Sequence, residues 1–457
     1  MENILKKEGK DLKEIFNRIR KRDFSGNIGI AVRNSMYQLS ANIISKVGSV
    51  LFTIVLARLL LPELFGLYSL ALATILLFAT FTDLGINQTV VRFISRSIAQ
   101  KNLAKAKEYM FYLGKIKFIR VLFSAGALLA LSYFISEIYY NKPIFLALVA
   151  GSLYLIVTGT ISFLQLLLQS LNDFKTLFYR EALFQGLRII VIPLVILFLL
   201  KDYSSSGKVF GIISSLVLLW IIVLLLFWKA IKRKILFNKS KRYKFSLSDK
   251  KEITKFTKEM FLLGLAGFLL GYVDMIFLGR FISSEFIGFY QIAMGFIGSS
   301  IPLIAFSSAL FPLFSRLSGK ELFKTFNKSV KLTVLISILA VIFIMIFSSQ
   351  IIKIFYGSAY APSVNILRVL SLLLLISPMT SLYSSFLIAR GNPKSIVLSL
   401  GLTTLISLLL SYAFIKIFII QGELAAVYGI CLAVIISNLF YLFSLINCSI
   451  RSNLLSR

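Results

Sequence analysis

A lysine inside a long apolar run is the residue whose chemistry this sequence most needs to explain. Lys46 lies ten residues into the first such run, residues 36–58, about 15 Å from its start. An ionisable side chain near the centre of a bilayer costs about 2.5–3.5 kcal/mol, so it lines a polar cavity or pairs with an opposite charge. Asn42, Ser49 and Thr53 fall on the same helical face, which predicts a polar stripe around the lysine.

A carboxylate lies inside the seventh apolar run, residues 259–280. Asp274 is six residues, about 9 Å, from Arg280 at the end of that run. It either pairs with Lys46 across a cleft or takes up a proton or a sodium ion. Sodium binding is the weaker alternative, because few polar neighbours are present to complete a sodium site.

Other charges lie within or beside the runs. Arg188, in the fifth run, is deep enough, about 12–15 Å, to line a cavity. Asp83 and Arg92 bracket the inner end of the second run, and we expect them to pair with a basic loop. Three basic residues of the third run are expected to extend their charges to the headgroups: Lys115, Lys117 and Arg120.

The composition argues against an enzyme. The chain has no histidine, and its 19 acidic residues stand against 50 basic ones. Its two cysteines, Cys431 and Cys448, give neither a disulfide framework nor a zinc-ligand spacing. The nucleotide-binding pattern G-x-x-x-x-G-K-[ST] does not occur. We therefore predict no catalytic residues, no metal site and no cofactor, and coupling to H⁺ or Na⁺ stays open.

The elements that position these residues are membrane helices. The chain is 58% hydrophobic, and about 20 apolar residues cross the hydrocarbon core. We predict an all-α polytopic membrane protein. Its twelve spans cover residues 36–58, 66–91, 112–136, 144–169, 178–200, 208–228, 259–280, 286–314, 330–349, 364–388, 395–419 and 424–447.

Basic residues concentrate in the even-numbered gaps between these spans. The gap 229–258 holds twelve Lys or Arg against Asp249 and Glu252. The positive-inside rule places such gaps, and both termini, in the cytoplasm of a cell-membrane protein. Contact with anionic headgroups then accounts for the net charge of +31, and we predict no nucleic-acid partner.

A charged hinge occurs twice. "ARLLLPELFGLY" at 57–68 is repeated as "GRFISSEFIGFY" at 279–290. Three residue pairs recur at a constant offset of 222 positions: Arg58 and Arg280, Glu63 and Glu285, Gly66 and Gly288. We expect the glutamates to cap the following helices and the arginines to reach the outer headgroups. The hinges are stable helical hairpins or, alternatively, an outer gate.

The repeat divides the chain into two halves of six spans. Since six is even, the halves insert in the same orientation, and a pseudo-two-fold axis along the membrane normal relates them. Two such lobes can rock about a cleft, which favours a transporter. The predicted units are a basic amphipathic tail (1–33), a six-helix lobe (34–228), a basic linker (229–258), a second six-helix lobe (259–450) and a tail (451–457).

Several segments together resemble the polysaccharide transporters, which are flippases of lipid-linked oligosaccharides. They include the first hinge, "TDLGINQTVVRFISR", "VDMIFLGRFISSEFIGFY", "FPLFSRLSG" and "IFYGSAYAPSVNILRVLSL". The wider superfamily contains multidrug and toxin extruders and lipid II flippases. The resemblance implies two six-helix lobes around a central cavity. It also implies export of polyprenyl-pyrophosphate sugars to the outer leaflet by alternating access, for cell-surface polysaccharide biosynthesis.

The resemblance also implies roles for the buried charges. Lys46 stands in an "S-[R/K]-V" setting similar to that of an arginine in lipid II flippases, so we assign it to the carrier pyrophosphate. Asn42, Ser49, Thr53 and Arg188 would complete the substrate site. A polysaccharide polymerase or glycosyltransferase is the implied protein partner. The alternatives are an ion-coupled drug or metabolite antiporter of the extruder type, which the buried cations disfavour, and a membrane glycan polymerase or ligase, which the short outer gaps disfavour.

Overall fold

A computed structural model describes residues 26–83, 85–234, 245–305 and 319–454, together with positions 310, 314 and 317. These residues are almost entirely helical. This is expected in a bilayer, because lipid offers no hydrogen-bond partners and a helix pairs its backbone N–H and C=O groups within itself. The helices are α1 (Gly26–Asp83), α2 (Ile86–Ala99), α3 (Leu103–Tyr133), α4 (Phe145–Ser170), α5 (Phe174–Leu194), α6 (Ser205–Lys234), α7 (Leu247–Leu270), α8 (Val273–Phe281), α9 (Ser284–Ile304), α10 (Gly319–Phe355), α11 (Ser363–Leu370), α12 (Leu373–Ala389), α13 (Pro393–Phe418) and α14 (Glu423–Leu454).

Among the described residues, ten helices are long and apolar enough to cross a membrane. The first of them, Val32–Asp83, contains two of the predicted spans. The predicted span 259–280 is divided between the end of α7 and α8, and neither part is counted alone. The first difference is a kink between two spans that share one helix, and the second is a break within a span, so the helices agree with the twelve spans predicted from the sequence.

The break in α1 lies at the first hinge. Leu61 has a φ of 59° and a ψ of 172°, outside the helical region. Pro62 follows it, and a proline displaces the preceding residue from helical geometry. A positive φ is rare for a leucine and marks a sharp change of direction. The chain therefore leaves the first span and starts the second without a loop.

The helices pack into two lobes, as predicted. Helices α1–α6 contact one another and form lobe 1, while α8–α14 form lobe 2. Helix α7 follows the basic linker and touches both lobes, through α2 on one side and α13 on the other. One continuous apolar core joins the lobes and includes Phe65, Tyr290 and Tyr360. The all-α, two-lobed architecture is confirmed.

The predicted unit boundaries stay predictions. Helix α1 begins at Gly26, so residues 26–33, assigned to the tail, form its first turns. Helix α6 continues to Lys234, beyond the predicted start of the linker. Residues 1–25, 235–244 and 455–457 lie outside the described part of the chain, and the predicted amphipathic tail falls mainly within them.

Candidate functional site

A cavity of about 350 Å³ lies between the lobes. We call the end of the molecule that carries Arg58 and Arg280 the hinge end, and the end that carries Arg96 and Asp249 the basic end. The polar side chains that line the cavity come from both lobes: Ser49, Thr53, Tyr68, Ser69, Arg188, Tyr272, Asp274 and Gln291. Lobe 1 therefore contributes a guanidinium to the cavity and lobe 2 contributes a carboxylate.

Arg188 is held in place by α1 and α5. Its Nη2 donates to Gln185 Oε1 at 2.6 Å and to Ser49 Oγ at 3.2 Å, and the guanidinium lies 4.3 Å from the ring centroid of Phe52. Its Nε is buried and has no hydrogen-bond partner within the described part of the chain. No ion pair of Arg188 occurs among the described residues. The cavity thus presents a fixed cation without a paired carboxylate, which suits an anionic ligand.

Asp274 lies on the opposite wall, in the first turn of α8, and is 5% exposed. Tyr290 Oη donates to its Oδ2 at 2.5 Å. The other oxygen, Oδ1, is buried and has no hydrogen-bond partner among the described residues. The positive end of the α8 dipole offsets part of the cost of burying this carboxyl group. The suggested ion pair between Asp274 and Lys46 is not found among the described residues, since Lys46 does not line the cavity.

Three of the five residues predicted for the substrate site line the cavity. Ser49, Thr53 and Arg188 line it, and Thr53 Oγ1 also donates to the Ser49 carbonyl at 2.9 Å. Lys46 and Asn42 are exposed and do not line it. Because Lys46 precedes Ser49 by three residues, it lies about one helical turn nearer the basic end. The polar stripe therefore leads from an exposed lysine to the cavity.

Asp83 and Arg92 lie apart from this cavity, near the basic end. Asp83 Oδ1 accepts from the Asn87 amide at 3.1 Å and so caps α2. The Arg92 guanidinium lies 4.3 Å from the ring centroid of Phe256 in α7. The expected pairing of Asp83 with a basic loop is replaced, among the described residues, by a backbone contact: Arg120 donates to the Asp83 carbonyl at 3.2 Å.

Each of the two hinge arginines donates hydrogen bonds to the lobe opposite its own, and we call these two sets of contacts the clasps. Arg58 of lobe 1 donates to the carbonyls of Ile354 and Phe355, at the end of α10 in lobe 2. Arg280 of lobe 2 donates to the carbonyls of Ile138 and Tyr139, in a π-helical turn that follows α3 in lobe 1. Helix ends carry unpaired carbonyls and partial negative charge, which favour a cation. The expectation that these side chains reach the headgroups is replaced by contacts between the lobes.

The backbones of the two lobes lie in close contact at the hinge glycines. A Cβ on Gly66 would clash with the Ser284 carbonyl, and a Cβ on Gly288 would clash with the Pro62 carbonyl. Gly66 and Gly288 occupy equivalent positions in the repeat, and each lies against the hinge of the other lobe. Beside them, Tyr360 Oη donates to the Ala57 carbonyl at 2.9 Å. Burial raises the pKa of the Tyr360 phenol, which keeps this donor protonated.

The hinge glutamates make no capping hydrogen bond among the described residues, although Glu285 lies in the first turn of α9 as expected. Glu63 and Glu285 are exposed, and the Ser283 side chain makes no capping hydrogen bond to α9. The carboxylate that reaches the Ser283 amide, at 2.9 Å, belongs to Glu423. Lys142 donates to the nearby Ile282 carbonyl at 2.7 Å, and burial lowers the pKa of its ammonium while Glu423 opposes that shift. These contacts add to the interlobe contacts at the hinge end.

A buried polar network in lobe 1 was not predicted. Arg180 Nη2 donates to Glu181 Oε2 at 2.8 Å, and Gln185 donates to Glu181 Oε1 at 2.8 Å. Gln185 in turn accepts from Arg188, so one chain of hydrogen bonds joins the two arginines. The spacing of these residues on α5 places them along one helical face, and that spacing is the signal in the sequence. Lys117 is also buried, at 2% exposure, so the expectation that it reaches the headgroups is wrong.

Comparison with known proteins bears on both fold and family. Residues 31–318 match the family model described as polysaccharide biosynthesis protein, and residues 261–413 match the MatE model. The uncharacterized membrane protein MJ1068 of Methanocaldococcus jannaschii is 25% identical over 345 residues, 72% of this chain and 67% of that protein.

Two solved structures share the fold. An inward-facing multidrug resistance MATE family transporter of the MOP superfamily aligns with a TM-score of 0.61 at 16% identity, over 90% of this chain and 95% of that chain. The lipid II flippase MurJ, in an inward closed conformation, aligns with a TM-score of 0.60 at 19% identity, over 92% of this chain and 91% of that chain. This chain therefore shares the two-lobed helical fold of both structures.

Proposed function

Because the chain belongs to the polysaccharide biosynthesis protein family, we propose that it is a flippase for polyprenyl-pyrophosphate-linked oligosaccharides. It would move the sugar-bearing headgroup from the inner to the outer leaflet of the cell membrane. The observation that carries the proposal is Arg188 in the cavity between the lobes, a cation that forms no ion pair among the described residues. A guanidinium of this kind binds pyrophosphate oxygens through several donors at once.

The remaining cavity wall suits a sugar. Hydroxyl groups of Ser49, Thr53, Tyr68 and Ser69 line it, and the Gln291 amide adds both a donor and an acceptor. A cavity of about 350 Å³ holds a pyrophosphate and part of one sugar, so a longer glycan would extend toward the exposed surface. The lipid tail would stay in the bilayer beside the gap between the lobes.

Alternating access would follow from the interlobe contacts. In the proposed orientation the hinge end faces outward and both termini face the cytoplasm, as the basic gaps predict. The Arg58 and Arg280 clasps hold the hinge end closed in this state. Opening would break both clasps and separate the Gly66–Gly288 crossing. The headgroup would then leave on the outer side, where a polysaccharide polymerase or glycosyltransferase is the proposed recipient.

Reconstituted vesicles test the proposal. The unmodified protein should move a fluorescently labelled polyprenyl-pyrophosphate oligosaccharide between leaflets, as detected by a membrane-impermeant quencher. We expect Arg188→Gln to slow this movement at least tenfold and Arg188→Lys to slow it less, since lysine keeps the charge without the planar fork. Lys201→Gln removes an exposed charge near the hinge end and is the matched control. Equal rates for Arg188→Gln and the control would contradict the proposal.

An ion-coupled antiporter of the extruder type is the second candidate. Two observations favour it: the MatE match over residues 261–413 and the buried Asp274 carboxyl in the cavity. A cationic substrate would approach Asp274, whereas Arg188 would repel it. Transport of an organic cation by the reconstituted protein, lost in Asp274→Asn and kept in Arg188→Gln, would support this candidate over the flippase.

A further inference from the structure

Helix α7 leads into lobe 2, but its first half is attached to lobe 1 at the basic end. We call residues 245–261, the start of α7 and the two residues before it, the strap. The strap contacts α2 and α3 of lobe 1, while α7 also packs against α13 of lobe 2. After α7 ends, Gly271 lines the cavity between the lobes. The strap thus bridges the two lobes at the end opposite the clasps.

Two ion pairs hold the strap on lobe 1. Asp249 Oδ1 accepts from Lys105 Nζ at 2.7 Å, and Glu252 Oε1 accepts from Arg96 Nη1 at 3.1 Å. Asp249 is buried and also accepts from the Ser246 amide at 3.1 Å, so the start of α7 fixes its carboxylate. The second pair is exposed to solvent and contributes less.

The same face of the strap also packs against apolar and hydroxyl groups of lobe 1. Ile253 is buried within a cluster of lobe 1 side chains. The ring centroid of Phe256 lies 6.1 Å from that of Phe93, and Thr257 Oγ1 lies 3.1 Å from Thr89 Oγ1. The contact residues of the strap recur every three or four positions, which places them along one side of the helix.

The attachment of the strap to lobe 1 is the one that can open. The strap continues into α8 of lobe 2 through Gly271 and Tyr272, where the helix is broken. Its attachment to α2 and α3, in contrast, consists of noncovalent contacts. To separate the lobes at the basic end, the protein must either pull the strap off lobe 1 or bend the chain at Gly271.

We propose that the strap is an inner gate of the transporter. Docked on α2 and α3, it closes the route from the cytoplasm into the cavity between the lobes, and it must leave lobe 1 before a headgroup can enter. The proposal rests on the proposed function only for the identity of that headgroup. The clasps at the hinge end and the strap at the basic end would then open in alternation.

A disulfide between the strap and lobe 1 tests the gate in the full chain. The Thr89 and Thr257 hydroxyls are close enough for Thr89→Cys and Thr257→Cys to form one, in a background without Cys431 and Cys448. Ser49→Cys adds a reporter thiol in the cavity. Inverted membrane vesicles present the cytoplasmic side to a membrane-impermeant maleimide, and mass spectrometry measures labelling at residue 49.

Oxidation of the two strap thiols should abolish labelling at residue 49. The parent with Ser49→Cys alone, treated with the same oxidant, should still be labelled. Failure of the two thiols to cross-link would overturn the proposal, because it would show that the strap is not docked. Labelling of the cross-linked protein at the rate of its parent would also overturn it, since the strap would then stay on lobe 1 while the chain bends at Gly271.

A charge variant tests the gate without a cross-link. Lys105→Gln removes an ion pair of the strap and should speed labelling at residue 49 about fivefold. Lys101→Gln removes an exposed charge just before α3 and is the matched control. Equal rates in the two variants would contradict the gate. Labelling needs no substrate, so a protein that shows these effects but moves no pyrophosphate lipid would refute the flippase and keep the gate.

Discussion

Arg58 and Arg280, 222 residues apart in the chain, make the same contact in opposite directions across the lobe boundary. Each guanidinium donates to the last carbonyls of a helical segment in the other lobe. The sequence repeat therefore does more than form two helical hairpins. It also supplies two equivalent arginine contacts, which together hold the lobes closed at the hinge end. Rocking the lobes apart at the hinge end must break both clasps together.

Removing one clasp should shift the protein toward a state that is open at the hinge end. Hydrogen bonds from charged donors contribute about 1.5–3 kcal/mol, and exposure of both arginines reduces this to about 1 kcal/mol. Arg58→Gln and Arg280→Gln should each increase the open population about fivefold. Pulsed electron paramagnetic resonance between spin labels at Tyr203 and Ile420, exposed positions in different lobes, measures the change.

The labelled protein needs Cys431→Ala and Cys448→Ala so that only the introduced cysteines react. Lys201→Gln is the control, since it removes an exposed charge that has no contact with the opposite lobe among the described residues. If Arg58→Gln leaves the distance distribution of its parent unchanged, the clasp does not hold the lobes together.

The close contact between the lobes at Gly66 and Gly288 leads to a second prediction. Gly66→Ala or Gly288→Ala would drive a methyl group into a backbone carbonyl of the other lobe, and backbone cannot rotate away as a side chain can. We expect each change to cost about 1–3 kcal/mol of stability in the closed state. A lower melting temperature and longer distances between the same spin labels should appear together.

Gly126→Ala provides the comparison. Gly126 lies within α3, and a Cβ there would meet no atom within 4 Å. This variant should equal its parent or gain up to about 1 kcal/mol, because alanine is the better helix former. A Gly66→Ala protein as stable and as closed as Gly126→Ala would show that the lobes do not meet at these positions.

The sequence predicts the fold well because long apolar runs permit few alternatives. It also identifies the hinges, since a repeat keeps its side chains in register. It does not reveal the partners of Arg58 and Arg280, because backbone carbonyls leave no signal in residue types. The clasps therefore emerge only once the lobes are packed together.

The depth of a charge is easier to predict than the direction it faces. Arg188 and Lys46 have similar predicted depths, yet Arg188 lines the cavity and Lys46 is exposed. Lys117, close to the predicted membrane edge, is buried inside lobe 1. The rotation of each helix about its own axis decides which way the side chain faces, and that rotation depends on how the six helices of the lobe pack. An apolar helix gives little amphipathic pattern from which to infer it.

The hydrogen bond from Tyr290 to Asp274 should contribute to stability. Tyr290→Phe leaves a buried carboxyl oxygen without its donor, which costs about 1–3 kcal/mol. Thermal unfolding in detergent should show a lower melting temperature. Tyr356→Phe is the matched control, because Tyr356 is buried and its hydroxyl makes no hydrogen bond among the described residues. Equal losses in the two variants would mean that the bond to Asp274 contributes nothing.

Asp274 also makes a prediction about coupling. If this carboxyl group takes up a proton during transport, Asp274→Asn should make the rate of headgroup movement independent of an imposed pH gradient. The unmodified vesicles should respond to that gradient. A variant that keeps the full response would exclude Asp274 as the coupling group and leave it a structural partner of Tyr290.

Lys46 should act on the path into the cavity. Its ammonium is exposed and has no hydrogen bond or ion pair within the described ranges, and Ser49, one turn further along α1, already lines the cavity. We expect Lys46→Ala to abolish transport of the labelled pyrophosphate lipid while the protein stays in the membrane. Because salt screens an exposed charge, the unmodified protein should transport more slowly at high ionic strength. Lys115→Ala should keep the parent rate, and unchanged transport in Lys46→Ala would remove Lys46 from the path.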